Sequence, residues 1–164
     1  MRSLAIQFPH AVIKEVDLVK VVQALSQEDI VQVHEFTTVV DRRELPETVG
    51  FVLEVTGDIG MVSSLHSAAQ QMMLTPSLAG PNANIARQKA LDVLVTTNGE
   101  HQGAFDAGLL RLPTIRIVKY GTFAGYRRWR GERLNVSVGQ MKVPVVMADP
   151  DTLDWLAEQI VREL

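Results

Sequence analysis

The segment Tyr126-Arg127-Arg128-Trp129-Arg130-Gly131-Glu132-Arg133 holds four guanidinia and two aromatic rings within eight residues. Guanidinia in such a run can grip phosphate or carboxylate through paired N–H donors, and the rings can stack on bases. The same composition also fits a solvated loop whose arginines pair with Glu132 and with acidic neighbours. Asp41, Arg42, Arg43 and Glu44 form a smaller charge run. Such a run is usually a solvated face or an intersubunit salt bridge, which by itself contributes little.

Other chemistry is sparse. The histidines are His10, His34, His66 and His101, and no pair has the helical i, i+4 spacing of a zinc site. The absence of cysteine excludes disulfides, thiolate nucleophiles and Cys-ligated metals. Residues 98–103, Asn-Gly-Glu-His-Gln-Gly, read as a polar turn or a small-molecule loop. There is no phosphate-binding loop, no dinucleotide fingerprint and no nucleophile elbow. Carboxylates such as Glu54 and Asp92 cannot be paired by spacing alone. The sequence therefore assigns no catalytic residue, no metal and no cofactor. A net charge of −3 argues against nucleic acid as a partner.

The elements that would position these residues read as follows. Residues 4–8 predict a strand stopped by Pro9, and 15–25 a helix with Val16, Val19, Val22 and Leu25 near the helical period. Residues 31–40 and 49–56 predict strands. Asp58 is placed to cap a helix with a stripe of Val62, Leu65, Ala69 and Met73. Residues 75–84, rich in proline, glycine and asparagine, read as a boundary, with a helical turn over 87–90. Then come a strand over 92–97, a helix over 103–112, a strand over 114–123, a basic aromatic loop over 126–134 and a strand over 143–147. Asp149 and Pro150 start a last helix with Leu153, Leu156, Ile160 and Leu164.

This order contains a repeat. Residues 31–38 lie over 115–122, 52–58 over 143–149, and the stripe from Val62 to Met73 over that from Leu153 to Leu164. The fold class expected is α+β: a duplicated βαββα ferredoxin-like unit, with antiparallel sheets and helices on one face. Residues 1–75 are the first unit, 76–90 the linker and 91–164 the second unit. At 164 residues with 46% hydrophobic content, the chain is long enough for a sizeable core. No signal peptide or membrane span is read, and a cytoplasmic setting is expected.

Residues 55–65 (VTGDIGMVSSL) resemble the strand–Gly-Asp–helix segment of bacterial microcompartment shell proteins. Pro76-Ser77-Leu78 and residues 87–97 resemble the link and second-domain strand of the tandem-domain members. Residues 103–111 resemble their following helix, with Arg111 near an edge lysine. The resemblance implies a homotrimer that imitates a hexamer and tiles into a sheet. Arg42 and Arg43 with Tyr126, Arg127, Arg128, Trp129, Arg130 and Arg133 would line a central opening for small anionic metabolites. The alternative is an anion-binding protein or enzyme with its site between the two units, formed by residues 98–103 and 126–133.

Overall fold

The computed structural model describes residues 5–28, 30–56 and 81–164. Asp58, His66, the helix expected around 62–73 and residues 76–80 of the expected linker lie outside the described residues. Strands β1 (Ala5–Phe8) and β2 (Ala11–Lys14) form an antiparallel hairpin that turns at Pro9 and His10. Helix α1 (Glu15–Gln27) follows directly, and the Lys14 N–H donates to the Asp17 carboxylate at 3.4 Å. Strands β3 (Val33–Asp41) and β4 (Thr48–Val55) pair antiparallel. Helices α2 (Pro81–Thr97) and α3 (Gly99–Asp106) lead to β5 (Thr114–Val118). Helix α4 (Thr122–Leu134), a short 3-10 turn (Val138–Gln140), α5 (Pro150–Ala157) and β6 (Ile160–Glu163) complete the order.

One four-stranded sheet, β3-β4-β5-β6, organises the fold. Its β4–β5 pair is parallel, with Gly50 opposite Thr114 and Val52 opposite Arg116. Alternation along each strand sends neighbouring side chains to opposite faces. On one face Val49, Phe51, Leu53, Ile115 and Ile117 pack with Leu18, Val21 and Leu25 of α1 and with Ala86, Ala90 and Leu94 of α2. On the other, Val39, Val52 and Val118 pack with Phe123 and Tyr126 of α4 and Leu156 of α5. Cover on both faces explains why every residue of β4 is buried. The α+β class is as expected, but the sheet is mixed and carries helices on both faces.

The second half does not repeat the first among the described residues. Residues 92–97, expected as a strand, continue α2. Their β-branched content is outweighed by Ala86, Ala90 and Leu94, which fall on one buried face at the helical i, i+4 interval. The hydroxyls of Thr96 and Thr97 donate back to the carbonyls of Asp92 (2.6 Å) and Val93 (2.8 Å), as threonine does inside helices. Residues 81–90 of the expected linker form the first half of the same helix. The expected loop 126–134 is helical, and the strand expected from 114 stops at Val118.

Residues 143–147 make a single bridge, Val146 to Thr38, rather than a strand. Pro144 there lacks the N–H a ladder needs. The terminal helix ends at Ala157, and Ile160 to Glu163 pair with β5 instead. Glu54, 3% exposed, accepts hydrogen bonds from the N–H groups of Gly121 and Phe123, each at 2.9 Å. A carboxylate therefore meets the orphan donors that start α4.

His101 in α3 is fully buried, and both ring nitrogens lack a hydrogen-bond partner among the described residues. Burial holds its pKa below the ordinary 6.5. The folded state thus keeps the ring neutral while the unfolded chain takes a proton below pH 6.5. The contribution to stability is complete above that pH and falls as pH drops toward the lowered folded value. His101→Phe is expected to flatten the slope of unfolding free energy between pH 7 and 5 in urea titrations. An unchanged slope would show that other groups cause it.

Candidate functional site

The end of the sheet where β3 finishes and β4 and β5 begin carries a cluster of charge. Asp41 closes β3, and its carboxylate is fully buried. The Arg43 guanidinium donates to both Asp41 oxygens, at 3.0 Å through Nε and 2.6 Å through Nη2. The same guanidinium donates to Glu163 at 2.7 and 2.8 Å. Thr114 Oγ1 donates to Asp41 Oδ2 at 2.7 Å. Arg43 therefore ties the last residue of β3 to the end of β6 across the two strands between them. Burial alone pushes the Asp41 carboxyl up, but the bonds from Arg43 and Thr114 outweigh it and hold the group well below the usual carboxylate range. The bonds from Arg43 also lower Glu163, against its partial burial.

Three more arginines surround this pair. Arg111 Nε donates to the Pro46 carbonyl at 2.6 Å, and its fork lies 3.8 Å from Glu44 and 3.9 Å from Asp41. Arg87 Nε donates to the Pro113 carbonyl at 2.8 Å. Arg116, in the middle of β5, has a buried Nε with no hydrogen-bond partner among the described residues. Burial first, and then the charge of Arg43, lower its affinity for its proton.

Gly50 makes room for Arg116. A Cβ at position 50 would stand 3.1 Å from Arg116 Nη2 and 2.9 Å from Val39 Cγ2. Two cavities open at this end. One, of about 390 Å³, is lined by Arg43, Glu44, Arg87, Arg111, Thr114 and Glu163. The other, of about 130 Å³, lies between Arg116 and the apolar side of α5 and β6. The arrangement can hold an oxyanion. No cluster of three or more potential metal ligands occurs among the described residues.

The residues singled out by sequence divide between two places. Arg42 pairs with Glu47 at 3.0 Å and lines the smaller cavity beside Arg43. The basic segment lies along α4, on the same sheet face but at its other end. Tyr126 is buried there and faces Trp129 and Trp155, and the indoles of Trp129 and Trp155 stack with centroids 5.3 Å apart. Arg127 pairs with Glu35, Arg130 with Asp149 at 3.5 Å, and Arg133 with Asp151 at 3.2 Å. Arg133 also covers the Trp129 ring at 5.0 Å. Three of these four guanidinia therefore have carboxylates in the same chain, while Arg128 is exposed.

Asp149 caps α5, accepting from the Thr152 N–H at 3.1 Å and the Thr152 hydroxyl at 2.5 Å. Residues 98–103 begin α3, whose Ala104 packs into the core on the opposite sheet face from Phe123 and Tyr126. The two segments do not share a site. Arg116, Arg111, Arg87 and Gly50 were missed as site residues. The available signal was one arginine inside the otherwise apolar and β-branched run TIRIV.

Residues 16–151 match the model of the GH3 family C-terminal domain. The chain belongs to the GH3 family. The fold agrees with two solved structures. One is GH3.15 acyl acid amido synthetase, at 18% identity and a TM-score of 0.72 over 99% of this chain. The other is AtGH3.15 acyl acid amido synthetase in complex with 2,4-DB, at 19% identity and a TM-score of 0.69, again over 99% of this chain. The chain spans 27% and 26% of the length of those proteins. No curated protein matches it.

The resemblance to microcompartment shell proteins is thereby overturned, together with the tiling trimer and its central opening. A Gly-Asp turn before a helix is too common to mark a family. The strand needed at 92–97 is also helix in this GH3 domain. No helix among the described residues is long and apolar enough to cross a membrane.

Replacing Arg43 by Met leaves buried Asp41 with only the backbone N–H of residue 43, the Thr114 hydroxyl and the longer contact to Arg111 at 3.9 Å. The expected cost is about 1–3 kcal/mol at neutral pH, measured by urea unfolding. Asp41 and Glu163 are both depressed in the folded state, from ordinary values of 3.8 and 4.5. Their contribution is present above those values and is lost as pH falls through the lower folded ones. The stabilities of wild type and Arg43→Met should therefore converge in acid. A constant gap would assign the effect to packing instead.

Proposed function

We propose that this chain acts as the C-terminal domain of an amide-forming enzyme that joins an acyl acid to an amine. The match of residues 16–151 to the GH3 C-terminal domain carries this reading. It is supported by a shared fold with two structures named acyl acid amido synthetases. The alternative drawn from the sequence, an enzyme or binder of small anions, agrees with it in substrate charge. The proposed location differs: the sheet end around Arg43, Arg111 and Arg116 replaces the space between two repeats.

The chemistry suits this division of labour. An acyl acid is an anion at neutral pH, and its carboxylate is a poor electrophile toward an amine. Guanidinia at the rim can gather the anion and fix its orientation. The contribution assigned to this domain is binding and positioning.

A chimera tests the proposal. The quarter of GH3.15 acyl acid amido synthetase that aligns with this chain is replaced by it, and amide formation from acyl acid and amino acid is followed by mass spectrometry. Amide product above that of the truncated enzyme is expected. A folded chimera that makes none would reject the assignment.

A further inference from the structure

Few groups fasten α3 to the rest of the fold. Its buried residues are His101 and Ala104. Helix α1, by comparison, buries Leu18, Val21, Val22 and Leu25. The other ties are polar and gather at the start of α3. Glu100 accepts from the Val12 N–H at 3.2 Å. Asn98 Nδ2 donates to the Val12 carbonyl at 2.8 Å and to the Asp17 carboxylate at 3.4 Å. A cavity of about 510 Å³, lined by Phe8, His10, Val12, Glu100 and Leu109, leaves this joint open to water. Few apolar contacts and exposed hydrogen bonds mark a segment that opens at low cost.

His101 is therefore the main side chain that α3 places in the core. It is fully buried, and neither ring nitrogen has a hydrogen-bond partner among the described residues. A neutral imidazole is tolerated in such a place far better than a charged one. The charged groups on the elements around it are bonded elsewhere or exposed. On α3 itself, Glu100 holds the Val12 N–H and Asp106 is exposed. On the hairpin, Lys14 and His10 are exposed. Asp17 of α1 accepts from the Lys14 N–H and from Asn98. On α2, Asp92 accepts from Gln88, Lys89 pairs with Glu28, and Arg87 holds the Pro113 carbonyl. Burial, rather than any of these charges, lowers the hold of the ring on a proton.

We propose that α3 is an acid-sensitive clasp: protonation of His101 lifts α3 away from the hairpin and α2 while the four-stranded sheet stays folded. A charged ring needs water, and lifting this short helix supplies it without disturbing the larger core. Once His101 has left, Ala104 is the buried residue of α3 that remains to hold it, and its apolar area is small. The open form takes a proton below the ordinary 6.5, where the closed form still excludes it. The clasp is thus closed above that pH. Its opening constant climbs as pH falls below it, by as much as about tenfold for each pH unit. This device goes beyond the amide-forming reading and does not depend on it.

The test is amide hydrogen exchange of the full chain, followed by NMR between pH 7.5 and 5.5, with each rate corrected for the intrinsic pH dependence of exchange. The amides of Gln102, Ala107 and Leu109 report on α3, since they donate to the carbonyls of Asn98, Gly103 and Ala104. The amides of Phe51 and Leu53 in β4 report on the sheet. Protection in α3 is expected to fall about tenfold across this range, with β4 unchanged. His101→Phe should hold α3 protection constant, and His101→Leu serves the same purpose where phenylalanine prevents folding. Glu100→Gln removes the neighbouring carboxylate and should keep the acid response. Flat protection in the wild type overturns the clasp, as does an equal fall in the His101 variants. An equal fall in α3 and β4 also overturns it, because the whole fold is then opening. A response abolished by Glu100→Gln assigns the titration to Glu100 and rejects His101.

Discussion

The parallel pairing of β4 with β5 joins segments more than sixty residues apart and sets everything built at the sheet end. In this register Gly50 lies beside Thr114 and Val52 beside Arg116. A parallel pair needs a crossover connection, since a tight turn cannot return the chain in the same direction. Residues 56–113 make that connection, and α2 within it packs against α1 on one sheet face. With the crossover in place, the starts of β4 and β5 and the ends of β3 and β6 fall together. Asp41 and Arg43, Thr114 and Arg116, and Glu163 then converge from three separate stretches of the chain.

The two sheet faces are used differently. The face toward α1 and α2 is almost wholly apolar and supplies the larger core. The face toward α4 and α5 carries Glu35, Thr37, Asp41, Thr48, Glu54, Thr114 and Arg116 alongside Val39, Val52 and Val118. Buried polar groups on such a face must be satisfied, and most are. Glu54 meets the N-terminus of α4, Glu35 meets Arg127, and the Thr48 hydroxyl donates to the Arg111 carbonyl at 2.7 Å. Thr37 and Thr38 bind the carbonyls of Pro144 and Val145 at 2.7 and 2.6 Å, tying residues 143–147 to the outer edge of β3. Against this background Arg116 Nε is buried and has no hydrogen-bond partner among the described residues, and Arg116 lines a cavity.

The basic aromatic segment shows how a conspicuous motif can have an internal purpose. Its rings pack against Trp155 and Leu156 of α5, and its arginines reach carboxylates on β3 and at the start of α5. These exposed and half-exposed pairs add little individually. Together with the stacked indoles they set how α4 and α5 lie against each other.

Local chemistry alone settled several features. Pro9 ended β1, the apolar period of residues 15–25 made α1, the β-branched runs became β3 and β4, and Asp149 with Pro150 opened α5. Each depends on residues within a few positions of one another, where propensity and capping act. Tertiary structure decided the rest. Residues 92–97 became helix because Ala90 and Leu94 had a core to enter, and residues 160–163 became strand because β5 offered an open edge. The bridge from Arg43 to Glu163 needed β6 beside β5. Arg116 Nε lacks a hydrogen bond among the described residues while Arg43 holds Asp41 and Glu163, and no spacing along a chain encodes that.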